Sequence, residues 1–324
     1  MEDKILDKKN QKISKIEEIA WWSYAKWVLI SWVAFAYFVW FILFCIGSVY
    51  DLSISILLIK LNKDFLHYFS ILMAALATPI MIVVGSVIFI AIVEKMYYTV
   101  FFELKAKNIL VWIIYFIVLI SLIVASYFLI TKILNDDATN NVIVIFAQVI
   151  VIFIYTYLFI YFRSNYKAQE QIVENFDRYI RALVFVALFS LTVLIFKYFF
   201  GRIRFQDLNA DYSNFSPWYK PNFSSTRGTS FPSGHVQSAC CLFTFILIWN
   251  TNKRWISFKK VIVSILFTVF IILMMFSRII LSKHYFTDTL MSIFLASIYF
   301  LFINPAIFLL IDKIRCKINK KNIK

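Results

Sequence analysis

Apolar runs of about 20 residues, each long enough to cross a bilayer as a helix, decide what this chain can fold into. They lie at 28–49, 70–93, 108–133, 142–162, 182–199, 235–250, 261–277 and 289–311. Inside hydrocarbon each backbone amide must be satisfied within its own segment, so such runs fold as helices. Only five glycines and five prolines punctuate the 324 residues. A hydrophobic share of 62% and a mean hydropathy of +0.79 exceed what a soluble domain carries. The expectation is an all-α polytopic membrane protein with about eight transmembrane helices. The sixth and seventh runs are short. Segment 51–69 mixes Ile and Leu with Lys60, Lys63 and Asp64, and reads as an interfacial helix or loop.

Charge sets the expected orientation. Segments 1–27, 94–107, 163–181, 251–260 and 312–324 hold 23 of the 33 Lys and Arg. The positive-inside rule puts those segments and both termini in the cytoplasm, and the loop with Asp136 and Asp137 outside. The arm 1–27 ends in Trp21, Trp22 and Trp27, which suit the headgroup belt. It leads into a long first run with no small-residue cleavage site, the pattern of a retained signal anchor. The net charge of +15 is spread over these loops, where anionic headgroups account for it, so a nucleic-acid partner is not expected. Cys45, Cys240 and Cys241 fall in or beside apolar runs and Cys316 in the basic tail, so no disulfide framework is implied.

Against this apolar background three blocks stand out. Lys197 is followed seven positions later by Arg204. Pro232-Ser233-Gly234-His235 opens the sixth run. Ser277-Arg278 is followed by His284 and then Asp288. The order of the runs brings all three to one membrane face, the extracytoplasmic one. Ionisable residues beside membrane spans are functional candidates by default. Lys197 and Arg204 would share a helix face if Gly201 does not break the helix. Pro, Ser and Gly form a helix start, with serine at the cap and free N–H groups toward an anion. Three cations around such an anion would stabilise a transferring phosphoryl group. His284 and Asp288, four apart, can sit side by side, the carboxylate fixing the ring tautomer.

The three blocks resemble the signature of the type-2 phosphatidic acid phosphatase superfamily: Lys, six residues, Arg-Pro; then Pro-Ser-Gly-His; then Ser-Arg, five residues, His, three residues, Asp. Only Phe205 departs, standing where the pattern has proline. The resemblance covers about 108–311 and implies a six-helix core in that interval, leaving 28–107 as two additional transmembrane helices. It implies that His284 is the nucleophile forming a phosphohistidine, Asp288 its orienting partner and His235 the general acid. Lys197, Arg204, Ser233, Gly234 and Arg278 would cradle the phosphate. No cofactor and no metal are implied. Similar bacterial enzymes act on undecaprenyl diphosphate, phosphatidylglycerophosphate, phosphatidic acid or lipid A, so the implied protein is a lipid phosphatase of the inner membrane. The implied partners are a lipid phosphate substrate and the surrounding membrane lipids.

Other residues carry less. His67 lies outside every block and reads as a surface or interfacial histidine. Arg202 and Lys283 flank the motifs and read as interfacial charges that snorkel. Ser282 and Thr287 carry no signal. Loop 200–233 interleaves Tyr212, Phe215, Trp218, Tyr219 and Phe223 with Lys220 and Arg227, as an aromatic belt or a headgroup contact would. The first two runs carry no charge and no motif, so they are expected to stand outside the chemistry. Two alternatives remain open: a lipid phosphotransferase using the same phosphohistidine, and a non-catalytic lipid-binding or transport protein.

Overall fold

The computed structural model describes residues 2–99, 107–133, 138–223, 228–249 and 258–303, together with 305–307, 309, 310 and 313. Over residues 2–29 and much of 122–151 the description is of the backbone alone. Arg227, Cys316, the loop with Asp136 and Asp137, and nearly all of the basic tail lie outside the described residues.

The chain divides into two units, 1–49 and 50–324. The first is the long initial part of helix α1 (Glu2–Ile59), which kinks at Tyr50, where φ is −109° and ψ is 15°. Its Trp32, Phe35, Phe38 and Phe41 are exposed, as residues facing lipid are.

The second unit begins with the last turns of α1. Then come α2 (Asp64–Ala75), α3 (Ala77–Thr99), α4 (Lys107–Ile133), α5 (Ala138–Ser164), α6 (Tyr166–Glu174) and α7 (Phe176–Phe200). It ends with α8 (Gly234–Cys240), α9 (Phe243–Ile248), α10 (Phe258–Ile280) and α11 (Phe286–Ile298). No strand occurs among the described residues. Five described helices are long and apolar enough to cross a membrane: Ile30–Ile59, Phe65–Thr99, Phe176–Asp207, Phe258–Ile280 and Phe286–Ile307. Asn108–Ser121, Ile152–Ser164 and Gly234–Ile248 are shorter apolar helices. The protein is an all-α integral membrane protein.

Residues 51–59 are helical beyond the kink at Tyr50 and bury Asp51 and Ser55 on one face. One segment differs from the sequence expectation. The sixth run is two short helices, because the chain turns at Cys241 and Leu242. The Thr244 hydroxyl and N–H both donate to the Cys241 carbonyl, at 2.6 and 3.0 Å, in a turn tighter than the α-helical ladder.

Helix α3 is apolar on all sides, which suits a helix enclosed by others. It packs against α5, α7 and α8. Its Ile90 and Val93 join Val111 and Tyr115 of α4 and Tyr155 and Phe159 of α5 in one cluster. Its Val87 and Ala91 join Ile172 and Tyr179 in another. Near its end Glu94 is fully buried, tolerated because Arg163 pairs with it at 3.3 Å. The remaining bundle places the end of α7, the start of α8, the end of α10 and the start of α11 together.

Candidate active site

Helix α7 ends at Gly201, whose left-handed backbone (φ 50°) lets its N–H close onto the Lys197 carbonyl at 3.1 Å. Lys197 and Arg204 therefore do not share a helix face as expected; Arg204 lies in extended backbone after the cap. They still converge. Lys197 Nζ donates to the Thr229 carbonyl at 2.6 Å, and Arg204 Nη2 donates to the Thr229 hydroxyl at 3.1 Å. A Cβ added at Gly234 would lie 3.9 Å from Lys197 Cε, so the lysine stem runs past the start of α8.

The loop 201–233 is tied back onto both histidine-bearing segments. Its Ser230 N–H donates to the Arg202 carbonyl at 3.0 Å, and Ser233 N–H to the Asp288 carbonyl at 3.0 Å. Ser292 Oγ donates to the Ser233 carbonyl at 2.8 Å. Gln206 N–H donates to the Ser282 carbonyl at 3.0 Å, across the turn between α10 and α11. Ser282 makes that turn in left-handed backbone (φ 59°). It delivers the Lys283 and His284 N–H groups to the Arg278 carbonyl, at 3.1 and 3.2 Å. At Gly228 there is no room for a side chain, since a Cβ would meet the Arg202 carbonyl oxygen at 2.3 Å.

Ser233 occupies the cap position of α8, but its hydroxyl does not cap the helix, contrary to the sequence expectation. Ser233 Oγ, Arg204 Nε and Arg278 Nε are buried polar atoms without a hydrogen-bond partner among the described residues. Such atoms are costly to bury and suit a ligand that accepts hydrogen bonds. His235 lies within electrostatic reach of Arg278, His284, Lys197 and Arg204. All eight expected residues thus gather at one end of the bundle.

The histidine–carboxylate pair is arranged differently from the expectation. His284 Nδ1 lies 2.7 Å from the Ser230 carbonyl oxygen and 3.5 Å from Asp288 Oδ2. A carbonyl only accepts, so Nδ1 carries the proton and Nε2 holds a free lone pair. Burial pushes the imidazole down to about 4, against the raising influence of Asp288, so the ring is neutral near pH 7. Asp288 holds the frame around it. Its Oδ2 accepts from the Ser230 hydroxyl and from Tyr285 N–H at 2.9 Å, and its Oδ1 accepts from Arg202 Nη1 at 2.6 Å.

Arg202 is not a snorkelling interfacial charge. It is buried to 2% exposure, and four acceptors surround it: the Ser216 carbonyl, the Thr287 hydroxyl, Asp288 and Asp51. Thr287, which carried no signal, bonds both Arg202 and Asp51. Asp51 lies in the N-terminal part of the chain expected to stand apart from the chemistry. His67 lies outside the site, its Nδ1 3.0 Å from Asn62 Oδ1.

Residues 178–311 match the PAP2 superfamily model. The matched segment runs from the start of α7 past the end of α11 and contains all three blocks. Comparison with curated proteins and with solved structures gives no match. The PAP2 match and the apolar helices support a membrane protein of phosphatase type, similar over 178–311 to a superfamily of phosphoric ester hydrolases.

Proposed function

We propose that this protein hydrolyses a phosphomonoester or diphosphate on a lipid headgroup, through a phosphohistidine on His284, at the extracytoplasmic face of a bacterial inner membrane. The observation that carries the reading is the His284 ring. It is neutral, its Nδ1–H donates to the Ser230 carbonyl, and it sits among Lys197, Arg204 and Arg278.

In the proposed cycle His284 Nε2 attacks phosphorus. The bond from phosphorus to the lipid oxygen breaks, and His235 gives its proton to that oxygen. Water then attacks the phosphohistidine, returns a proton to His235 and releases phosphate with His284 restored. The three cations and the Ser233 hydroxyl balance charge on the equatorial oxygens. Arg278 and Arg204 can each offer two parallel donors, which a lysine cannot. Gly234 lets the phosphate approach the backbone at the first turn of α8, whose N–H groups the helix itself does not use. A site near the end of a transmembrane bundle is reached by lateral diffusion of a lipid headgroup. The outward orientation rests on the distribution of Lys and Arg.

The test is phosphate release by the purified protein in detergent from a panel of lipid phosphates and diphosphates, with and without orthovanadate. Release that vanadate suppresses supports the reading. A protein inert toward every member of the panel contradicts it.

A further inference from the structure

We propose that Asp51, far from the PAP2-matched segment in sequence, is a positioning residue for the phosphoryl-transfer centre and acts through Arg202 on Asp288. The inference rests on the function proposed above.

The geometry is a closed chain of buried groups. Asp51 is 2% exposed and Asp288 fully buried. Arg202 lies between them, its Nη2 2.8 Å from Asp51 Oδ2 and its Nη1 2.6 Å from Asp288 Oδ1. Asp51 also receives the Thr287 N–H at 3.1 Å and the Thr287 hydroxyl. The Arg202 guanidinium and the Thr287 N–H can only donate, so Asp51 meets both with acceptor oxygens. Thr287 is in the first turn of α11, where a helix leaves its N–H groups unpaired. Asp51 therefore acts from 236 residues away as an N-terminal cap for the helix that carries Asp288.

The shared guanidinium gives the cap a consequence for chemistry. Its plane lies against the Tyr285 ring, 4.0 Å from the centroid, and its Nε is held by the Ser216 carbonyl at 2.9 Å. With Nη2 engaged by Asp51, Nη1 is what reaches Asp288, at one oxygen. The other oxygen stays with the Ser230 hydroxyl and the Tyr285 N–H. Without Asp51, both Nη groups are free to take Asp288 in the bidentate form arginine prefers. That pulls Oδ2 from Ser230, whose carbonyl seats the His284 ring. Asp51 thus fixes the reacting nitrogen without touching substrate.

The experiment uses the full chain in detergent, with Asp51→Asn, Asp51→Glu, Asp288→Asn and the double variant Asp51→Asn/Asp288→Asn. Enzyme is counted by vanadate-binding stoichiometry, so that misfolded protein does not enter kcat. A misplacement near 1 Å costs on the order of 100-fold in rate, so Asp51→Asn should lower kcat by roughly 10- to 100-fold with KM within twofold. Asp51→Glu keeps the charge but moves the carboxylate by one methylene; kcat should fall and KM hold. In the Asp288→Asn background the Asp51→Asn change should cost under about threefold more, because both act through one network.

Full additivity, or wild-type kcat in both Asp51 variants, overturns the proposal. So does misfolding of both, which would make the carboxylate a folding element only. If the wild type releases no phosphate yet binds vanadate, the proposed function fails. Asp51 is then read from vanadate affinity, expected to be about tenfold weaker in Asp51→Asn, a loss of about 1.4 kcal/mol. Unchanged affinity, or no vanadate binding by the wild type, also overturns the proposal.

Discussion

His284 Nδ1 lies 2.7 Å from the Ser230 carbonyl oxygen, nearer than the 3.5 Å that separates it from Asp288 Oδ2. The tautomer is therefore set by a backbone group, and the carboxylate holds the residue that supplies it. The chain has only three histidines, so nitrogen-15 spectra of the labelled protein can be assigned with single variants. Because burial lowers the His284 value to about 4, below the usual imidazole range, the ring should remain neutral from pH 8 down to pH 5. Its Nδ1 should appear protonated and its Nε2 unprotonated throughout. The proton is gained only as pH falls through the lowered value, and the free lone pair is lost there.

The nucleophile and its frame should separate kinetically. His284→Ala is expected to lower phosphate release by more than about a thousandfold, with insertion and folding unchanged. Asp288→Asn should cost less, since the Ser230 carbonyl still seats the ring. Residual activity in His284→Ala above a tenth of wild type would remove it from the nucleophile position.

Activity should persist in excess EDTA, because the charge on the phosphate is met by Lys197, Arg204 and Arg278. Among the described residues no group of three His, Cys, Asp or Glu could hold a metal ion. Arg278→Ala should weaken vanadate inhibition by about tenfold or more, since a charge-assisted hydrogen bond contributes roughly 1.5–3 kcal/mol. A strict requirement for a divalent cation contradicts this assignment.

Orientation is open to cysteine labelling in a background lacking the four native cysteines. Ser213 and Glu170 are both exposed, in the loop before α8 and on α6. Ser213→Cys should react with a membrane-impermeant thiol reagent in intact cells. Glu170→Cys should react only after permeabilisation. The reverse pattern places the site on the cytoplasmic leaflet.

The legible part of the site was the part written in local spacing. Ser233, Gly234, His235, Arg278, His284 and Asp288 sit in short blocks whose order along the helices brings them together. Arg202 reads as a snorkelling charge because a lone arginine beside a span usually is one, and nothing near it shows carboxylate partners 86 and 151 residues away. Asp51 was hidden in the same way, inside a mixed segment whose polar residues suggested an interface. The Ser230 carbonyl has no sequence signature at all, since every residue carries one. For the fold, apolar run length revealed an all-helical membrane protein. The break at Cys241 and Leu242 escaped it, because both halves of the sixth run are equally apolar. So did the non-helical backbone at Tyr50, although Gly47 and Ser48 stand just before it.

The central claim is that His284 takes up a phosphoryl group and passes it to water. Loss of oxygen-18 from labelled inorganic phosphate in ordinary water, followed by phosphorus-31 NMR, tests it without knowledge of the lipid. Phosphate bound in the cradle should form the phosphohistidine by expelling water, and hydrolysis should return it with a solvent oxygen. The wild type should therefore show progressive loss of label that vanadate abolishes, and His284→Ala should show none. Lipid phosphate hydrolysis by a wild type that leaves the label untouched, or exchange that survives in His284→Ala, would contradict the account.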